Sequence, residues 1–111
     1  MGSKEVIVIG SGFSGLSTAT HLAAEGFKVI ILEKNEVFGG RARKFTSNGF
    51  TFDMGPSWYW MPDVFDRYFG NFGKKTSDYY ELIRLDPSYA VFFGENDIMN
   101  IPANLDEFKL A

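Results

Sequence analysis

The residues that could do chemistry sit in two glycine-bearing stretches and at one acid between them. Gly10-Ser11-Gly12-Phe13-Ser14-Gly15 has the G-x-G-x-x-G spacing, Gly39-Gly40-Arg41 comes further on, and Glu33 stands between the two. The chemistry these residue types suit is recognition of a nucleotide. A glycine has no Cβ, so a phosphate can lie against its backbone. An arginine offers a forked donor to phosphate, and a carboxylate accepts hydrogen bonds from ribose hydroxyls. Within the first stretch each glycine has its own task. Gly10 turns the chain sharply, Gly12 leaves room for a pyrophosphate, and Gly15 lets a helix pack close to a strand.

Residues so placed must be held by a strand, a helix and a second strand in that order, and the sequence supplies all three. Val6–Ile9 is an apolar, β-branched run that reads as a strand. Ser14 to Glu25 reads as a helix, with Gly15, Ala19 and Ala23 recurring every four residues as a stripe of small side chains that permits close approach to a sheet. Gly26 is placed to stop that helix in a left-handed conformation. Val29–Leu32 is a continuous apolar run, as a parallel strand covered on both faces requires, and Glu33 ends it. A glycine-rich turn alone is common. The strand before it, the helix after it and an acid about 20 residues on make it a dinucleotide-binding βαβ unit.

Glu33 suits the free ribose hydroxyls of FAD or NAD and would repel the 2′-phosphate of NADP, with Lys34 softening that repulsion. The Gly39-Gly40-Arg41 segment favours FAD, because a plain NAD-binding domain needs no second phosphate-contacting loop at this point. His21 is the only histidine and is expected at a solvent-facing helical position, with no metal site.

Composition bounds the rest. The chain has 111 residues, enough for one domain or part of one, and 17% aromatics, including 12 Phe, which a buried core or a lipid-like ligand would favour. A net charge of −3 with scattered Lys and Arg speaks against a nucleic-acid surface. The absence of cysteine excludes disulfides and thiol catalysis and fits a reducing compartment. Val6–Ile9 is too short for a signal peptide, and Met1-Gly2-Ser3 lacks the Ser or Thr that myristoylation wants where Val6 stands. No run approaches the ~20 apolar residues of a membrane span. The expected location is the cytoplasm.

Beyond residue 42 the signals are those of hairpins. Arg43–Thr46 and Phe50–Asp53 flank Ser47-Asn48-Gly49, and Asn-Gly between extended runs predicts a tight turn. Pro62 and Asp63 open a helix through about Phe69, with Val64, Phe65, Tyr68 and Phe69 on one face, for core packing or for contact with a polyene or membrane. Trp58-Tyr59-Trp60-Met61 before it is a dense apolar cluster. Ser77 or Asp78 caps a short helix through Leu82 to about Leu85, which Asp86-Pro87 ends. Tyr89–Phe93 and Ile98–Ile101 form a second hairpin around Gly94–Asp97. Asn104 caps a final helix with Asp106 and Glu107 in its first turn. No repeats are present.

Gly10–Gly15, Glu33-Lys34, Gly39-Gly40-Arg41 and Phe52-Asp53-Met54-Gly55-Pro56 together resemble the amino end of the two-dinucleotide-domain flavoproteins. Asp53-Met54-Gly55-Pro56-Ser57-Trp58, Met61-Pro62 and the Phe/Tyr-rich helix narrow the resemblance to bacterial-type phytoene desaturases of carotenoid biosynthesis, over essentially the whole chain. The resemblance implies FAD-dependent dehydrogenation of a long polyene hydrocarbon by an enzyme resting peripherally on the inner membrane face. It also puts Gly55-Pro56 near the flavin and leaves Asp53 either orienting that loop or capping a turn.

The expected cofactor-binding set is therefore Gly10, Ser11, Gly12, Phe13, Ser14, Gly15, Glu33, Lys34, Gly40, Arg41, Gly55 and Pro56. The expected fold class is α/β, a Rossmann-like FAD-binding βαβ unit with added β-hairpins. Residues 1–42 carry the βαβ unit and Gly-Gly-Arg loop, and 43–111 carry hairpins and the start of a substrate-side region. Two parallel strands under one helix read as an incomplete amino-terminal part, inactive alone. No catalytic acid, base or nucleophile is assigned, since redox chemistry in such proteins belongs to the flavin. An amine oxidase-like flavoenzyme and a non-catalytic nucleotide-binding fragment are the alternatives.

Overall fold

Strands β1 (Glu5–Ile9) and β2 (Lys28–Leu32) run parallel and in register, from Glu5 opposite Lys28 to Ile9 opposite Leu32, with helix α1 (Phe13–Ala24) connecting them. This is a computed structural model that describes residues 4–109. The chain divides into two compact units, Met1–Phe72 and Gly73–Ala111.

In the first unit α1 lies on the face of the sheet that carries Val6 and Val8, both half-buried, and Ala19 of its small-residue stripe is buried. The other face is uncovered. Ile7 is 57% and Ile9 86% exposed, and Leu32 on the neighbouring strand is exposed as well. The expectation that Val29–Leu32 is covered on both faces is thus not met among the described residues, because a two-stranded sheet with one helix has apolar cover on one side only. At its start the uncovered face carries an ion pair, Lys28 Nζ to Glu5 Oε2 at 2.6 Å. Both groups are solvent-exposed, so it adds little.

Helix α1 ends as its sequence requires. Gly26 has φ +86, its N–H donates to the Ala23 carbonyl, and the Phe27 N–H donates to the Leu22 carbonyl. That pair of bonds is a Schellman stop, open to a residue with no Cβ.

Strands β3 (Arg43–Ser47) and β4 (Phe50–Met54) form an antiparallel hairpin closed by Asn48 and Gly49, at φ 51 and 83. Two positive φ values in a two-residue loop make a type I′ turn, whose twist matches that of paired strands. Phe45 and Phe52 stack across the hairpin at 5.0 Å, while Thr46 and Thr51 share a hydrogen bond on its other face. Helix α2 (Pro62–Gly70) follows, with Pro at its first position. It meets α1 through rings. Phe65 lies edge-on to Phe13 at 6.0 Å, and His21 stands 5.9 Å from Tyr68 and 4.9 Å from Phe72. His21 is exposed, as expected, yet used for packing, and its Nδ1 pairs with the Ser17 carbonyl at 2.8 Å.

The second unit is built on the antiparallel hairpin of β5 (Tyr89–Gly94) and β6 (Asp97–Ile101), whose register shifts between Phe92 and Gly94. The helix expected through Leu85 does not form. Only a 3-10 turn, Thr76–Asp78, is present, with the Asp78 carboxylate accepting from the Lys75 N–H at 2.9 Å. The residues that follow are tied to the end of β6 instead. Arg84 donates to the Ala103 carbonyl at 2.6 Å, Asp86 accepts from the Ala103 N–H, and the Ser88 N–H and hydroxyl both donate to the Ile101 carbonyl. Those bonds need an extended path, and the residue before a proline resists helical geometry in any case. Asn104 caps α3 (Leu105–Phe108), its side chain accepting from the Asp106 N–H at 2.9 Å.

Candidate functional site

The turn after β1 has the geometry that its glycines allow. Gly10 takes φ +95 and continues the ladder by donating to the Leu32 carbonyl at 2.7 Å. Gly12 is the N-cap of α1 at φ −74, an ordinary extended conformation, so its lack of a side chain matters for space and not for backbone strain. The helix begins with no side-chain cap and no acid in its first turn, leaving its N-terminal N–H groups and partial positive charge to an anion. Gly15 fits nothing larger than hydrogen. A Cβ there would stand 2.0 Å from the Gly10 carbonyl oxygen.

Two further segments close on this loop. Gly39 and Gly40 have φ +107 and +61, and the Gly39 N–H donates to the Ser11 carbonyl at 2.9 Å. A Cβ on Gly40 would lie 3.0 Å from the Gly12 Cα, and one on Gly55 would lie 2.0 Å from the Arg41 carbonyl oxygen. Three chain segments thus pack backbone to backbone. Between them opens a cleft of about 900 Å³ lined by Gly10, Gly12, Phe13, Ser14, Gly15, Gly39, Gly40, Arg41, Gly55 and Pro56, with Ile9 and Ala42. Half of its lining is glycine, which leaves backbone bare along its walls, and Arg41 adds the one cation on the lining. That donor set fits a pyrophosphate.

Glu33 lies on a second hollow of about 350 Å³, with Ser11, Leu16, Ile31, Asn35, Glu36 and Phe38. Its carboxylate accepts four hydrogen bonds. The Ser11 N–H and hydroxyl reach Oε2 at 2.8 and 2.7 Å, and the Asn35 N–H and Nδ2 reach Oε1 at 3.0 and 2.7 Å. These bonds, the Ser11 hydroxyl foremost and then the Asn35 and Ser11 N–H groups, lower its pKa from the ordinary 4.5 to about 2, against an opposing effect of desolvation that exceeds the contribution of the Asn35 side chain. Glu33 is held as an anion at the end of β2, with apolar Leu16, Ile31 and Phe38 around it.

Of the residues expected from sequence, Gly10, Gly12, Phe13, Ser14, Gly15, Gly40, Arg41, Gly55 and Pro56 meet on the larger cleft, and Ser11 and Glu33 on the smaller. Lys34 is exposed and lines neither. Asp53 lies within β4 opposite Lys44. Sequence reasoning missed Asn35 as a partner of Glu33, although an amide two residues past a carboxylate is well placed to fold back on it. It also missed Ile9 and Ala42, apolar residues adjoining the glycines, which no spacing rule singles out.

Residues 8–72, more than half of the chain, match the family described as NAD(P)-binding Rossmann-like domain. The chain belongs to that family. It is also 51% identical to a carotenoid 3,4-desaturase of Haloarcula japonica over 96% of its own length and 22% of that protein's. A 4,4'-diapophytoene desaturase (4,4'-diaponeurosporene-forming) of Staphylococcus aureus is 42% identical over 95% of this chain and 21% of that protein. The chain therefore spans about a fifth of the length of these relatives. Among the described residues no helix is long and apolar enough to cross a membrane, and no group of three His, Cys, Asp or Glu is arranged to hold a metal.

Proposed function

We propose that this chain is the part of a carotenoid-desaturase-type oxidoreductase that binds the ADP half of FAD. The observation that carries the reading is the cleft in which the Gly10–Gly15 turn, Gly39-Gly40-Arg41 and Gly55-Pro56 converge. The turn and the start of α1 hold the pyrophosphate, Arg41 pairs with it, and Glu33 accepts from the adenosine ribose. An anionic acceptor there suits FAD and NAD alike and repels a 2′-phosphate. The second and third glycine segments favour FAD, since they add backbone surface beyond what a single-loop nucleotide site uses. FAD, when bound, accepts the electrons of a dehydrogenation.

The substrate proposed for the whole protein is a carotenoid-type polyene. Its proposed setting is the face of a membrane, and residues 1–111 are a dinucleotide-binding part of it. The alternatives are an amine oxidase-like flavoenzyme and a nucleotide-binding module with no redox step. Purification of the chain in the presence of FAD tests the reading. A flavin absorbance spectrum that travels with the protein, and that excess ADP displaces, supports it. A colourless chain that binds ADP equally in the presence and absence of FAD favours the non-redox module.

A further inference from the structure

Asn35 lies on neither glycine loop, yet it provides two of the four hydrogen bonds that hold Glu33. Two donors on each carboxylate oxygen fix both the rotation of the group about its last bond and the direction of its lone pairs. The two halves of this grip differ. Ser11 is 3% exposed, and its donors belong to the turn that also builds the phosphate cleft. Asn35 is exposed and acts through a side chain that can be removed while its backbone N–H stays in place. The same hollow carries Glu36 as its other titratable group, and Lys34 is exposed between the two partners in sequence.

We propose that Asn35 is a positioning residue for ribose recognition, its side-chain amide holding the Glu33 carboxylate in the one orientation that a nucleotide's ribose hydroxyls meet. This rests on the reading that Glu33 faces the ribose. A second pair of donors limits the carboxylate to one rotamer before a ligand arrives, so less conformational freedom is lost on binding.

Calorimetric titrations of the chain, of Asn35→Ala and of Asn35→Ser with ADP and with inorganic pyrophosphate test this. The expected result is that Asn35→Ala weakens ADP by roughly three- to tenfold, the loss of one charge-assisted bond partly replaced by water. Pyrophosphate, which has no ribose, binds Asn35→Ala and the parent alike. Asn35→Ser, which keeps a short donor, regains part of the ADP affinity. Equal losses for ADP and pyrophosphate, or unchanged ADP binding, would overturn the proposal while the nucleotide reading stands. A parent chain that binds neither probe overturns both.

Discussion

Gly40 approaches Gly12 so closely that a Cβ built on Gly40 would stand 3.0 Å from the Gly12 Cα, whereas one built on Gly12 comes only within 3.9 Å of the Gly40 Cα. The contact is lopsided because the two glycines serve different ends. Gly40 has φ +61 and is needed for its backbone conformation and for its nearness to the turn. Gly12 has an ordinary φ of −74 and is needed for the space in front of it.

Substitutions at the two positions should therefore separate folding from binding. Gly12→Val puts branched methyl groups in the position proposed for the pyrophosphate, so ADP binding should be lost while circular dichroism and melting stay close to those of the parent. Gly40→Ala forces a left-handed residue with a tight contact, costing about 1–2 kcal/mol of stability as well as affinity. Urea unfolding read beside ADP titration checks both. Equal destabilisation by the two variants contradicts the distinction.

Gly15→Ala tests the helix–strand contact by itself. The added Cβ would meet the Gly10 carbonyl oxygen at 2.0 Å, a backbone atom that cannot turn aside, so α1 must lift from β1. Overpacking of this kind costs typically about 1–3 kcal/mol, outweighing the higher helix propensity of alanine, which favours it by roughly 1 kcal/mol over glycine. A lower urea midpoint is expected. An unchanged or raised midpoint would mean that the close approach is not required.

The Glu33 carboxylate gives stability a defined pH dependence. Its folded pKa of about 2 lies below its ordinary 4.5, so its contribution is fully present above pH 4.5 and is lost as pH falls through about 2. Glu33→Gln should be less stable than the parent near neutral pH, and the gap should close as pH approaches 2. The same variant should bind ADP roughly tenfold more weakly or worse. Unfolding curves for both proteins across that range read the first effect, and a gap that persists to the acid end contradicts it.

Arg41→Ala addresses which dinucleotide the cleft takes. Arg41 lines the cleft between the second and third glycine segments, which are the parts a single-loop site lacks. The variant should lose more affinity for FAD than for NAD or ADP-ribose. Equal losses would make Arg41 a general phosphate anchor.

The βαβ unit was legible in the sequence because each of its parts is dictated locally. β-branched runs make the strands, Gly26 stops the helix, and Asn48-Gly49 admits little but a type I′ turn. The convergence of Gly55 on Arg41 was not legible from spacing, since it depends on how the β3–β4 hairpin returns the chain, and the family resemblance alone put Gly55-Pro56 in the set. The helix expected through Leu85 failed for the opposite reason. Its local signals were sound, but Arg84, Asp86 and Ser88 found partners on Ile101 and Ala103, distant in sequence. The role of Ser11 was likewise hidden. It reads as one more loop residue, and only the closeness of the ends of β1 and β2 makes it a donor to Glu33.

If the three glycine segments form one dinucleotide site, a 15N–1H correlation spectrum of the chain titrated with FAD reads it at each segment separately. The amide signals of Gly12, Gly15, Gly40 and Gly55 are expected to shift together along one binding curve, with Ser11 and Asn35 following, and none of them is expected to shift in Gly12→Val. FAD that leaves these amides unmoved at saturating concentration, or that moves one segment without the other two, contradicts it.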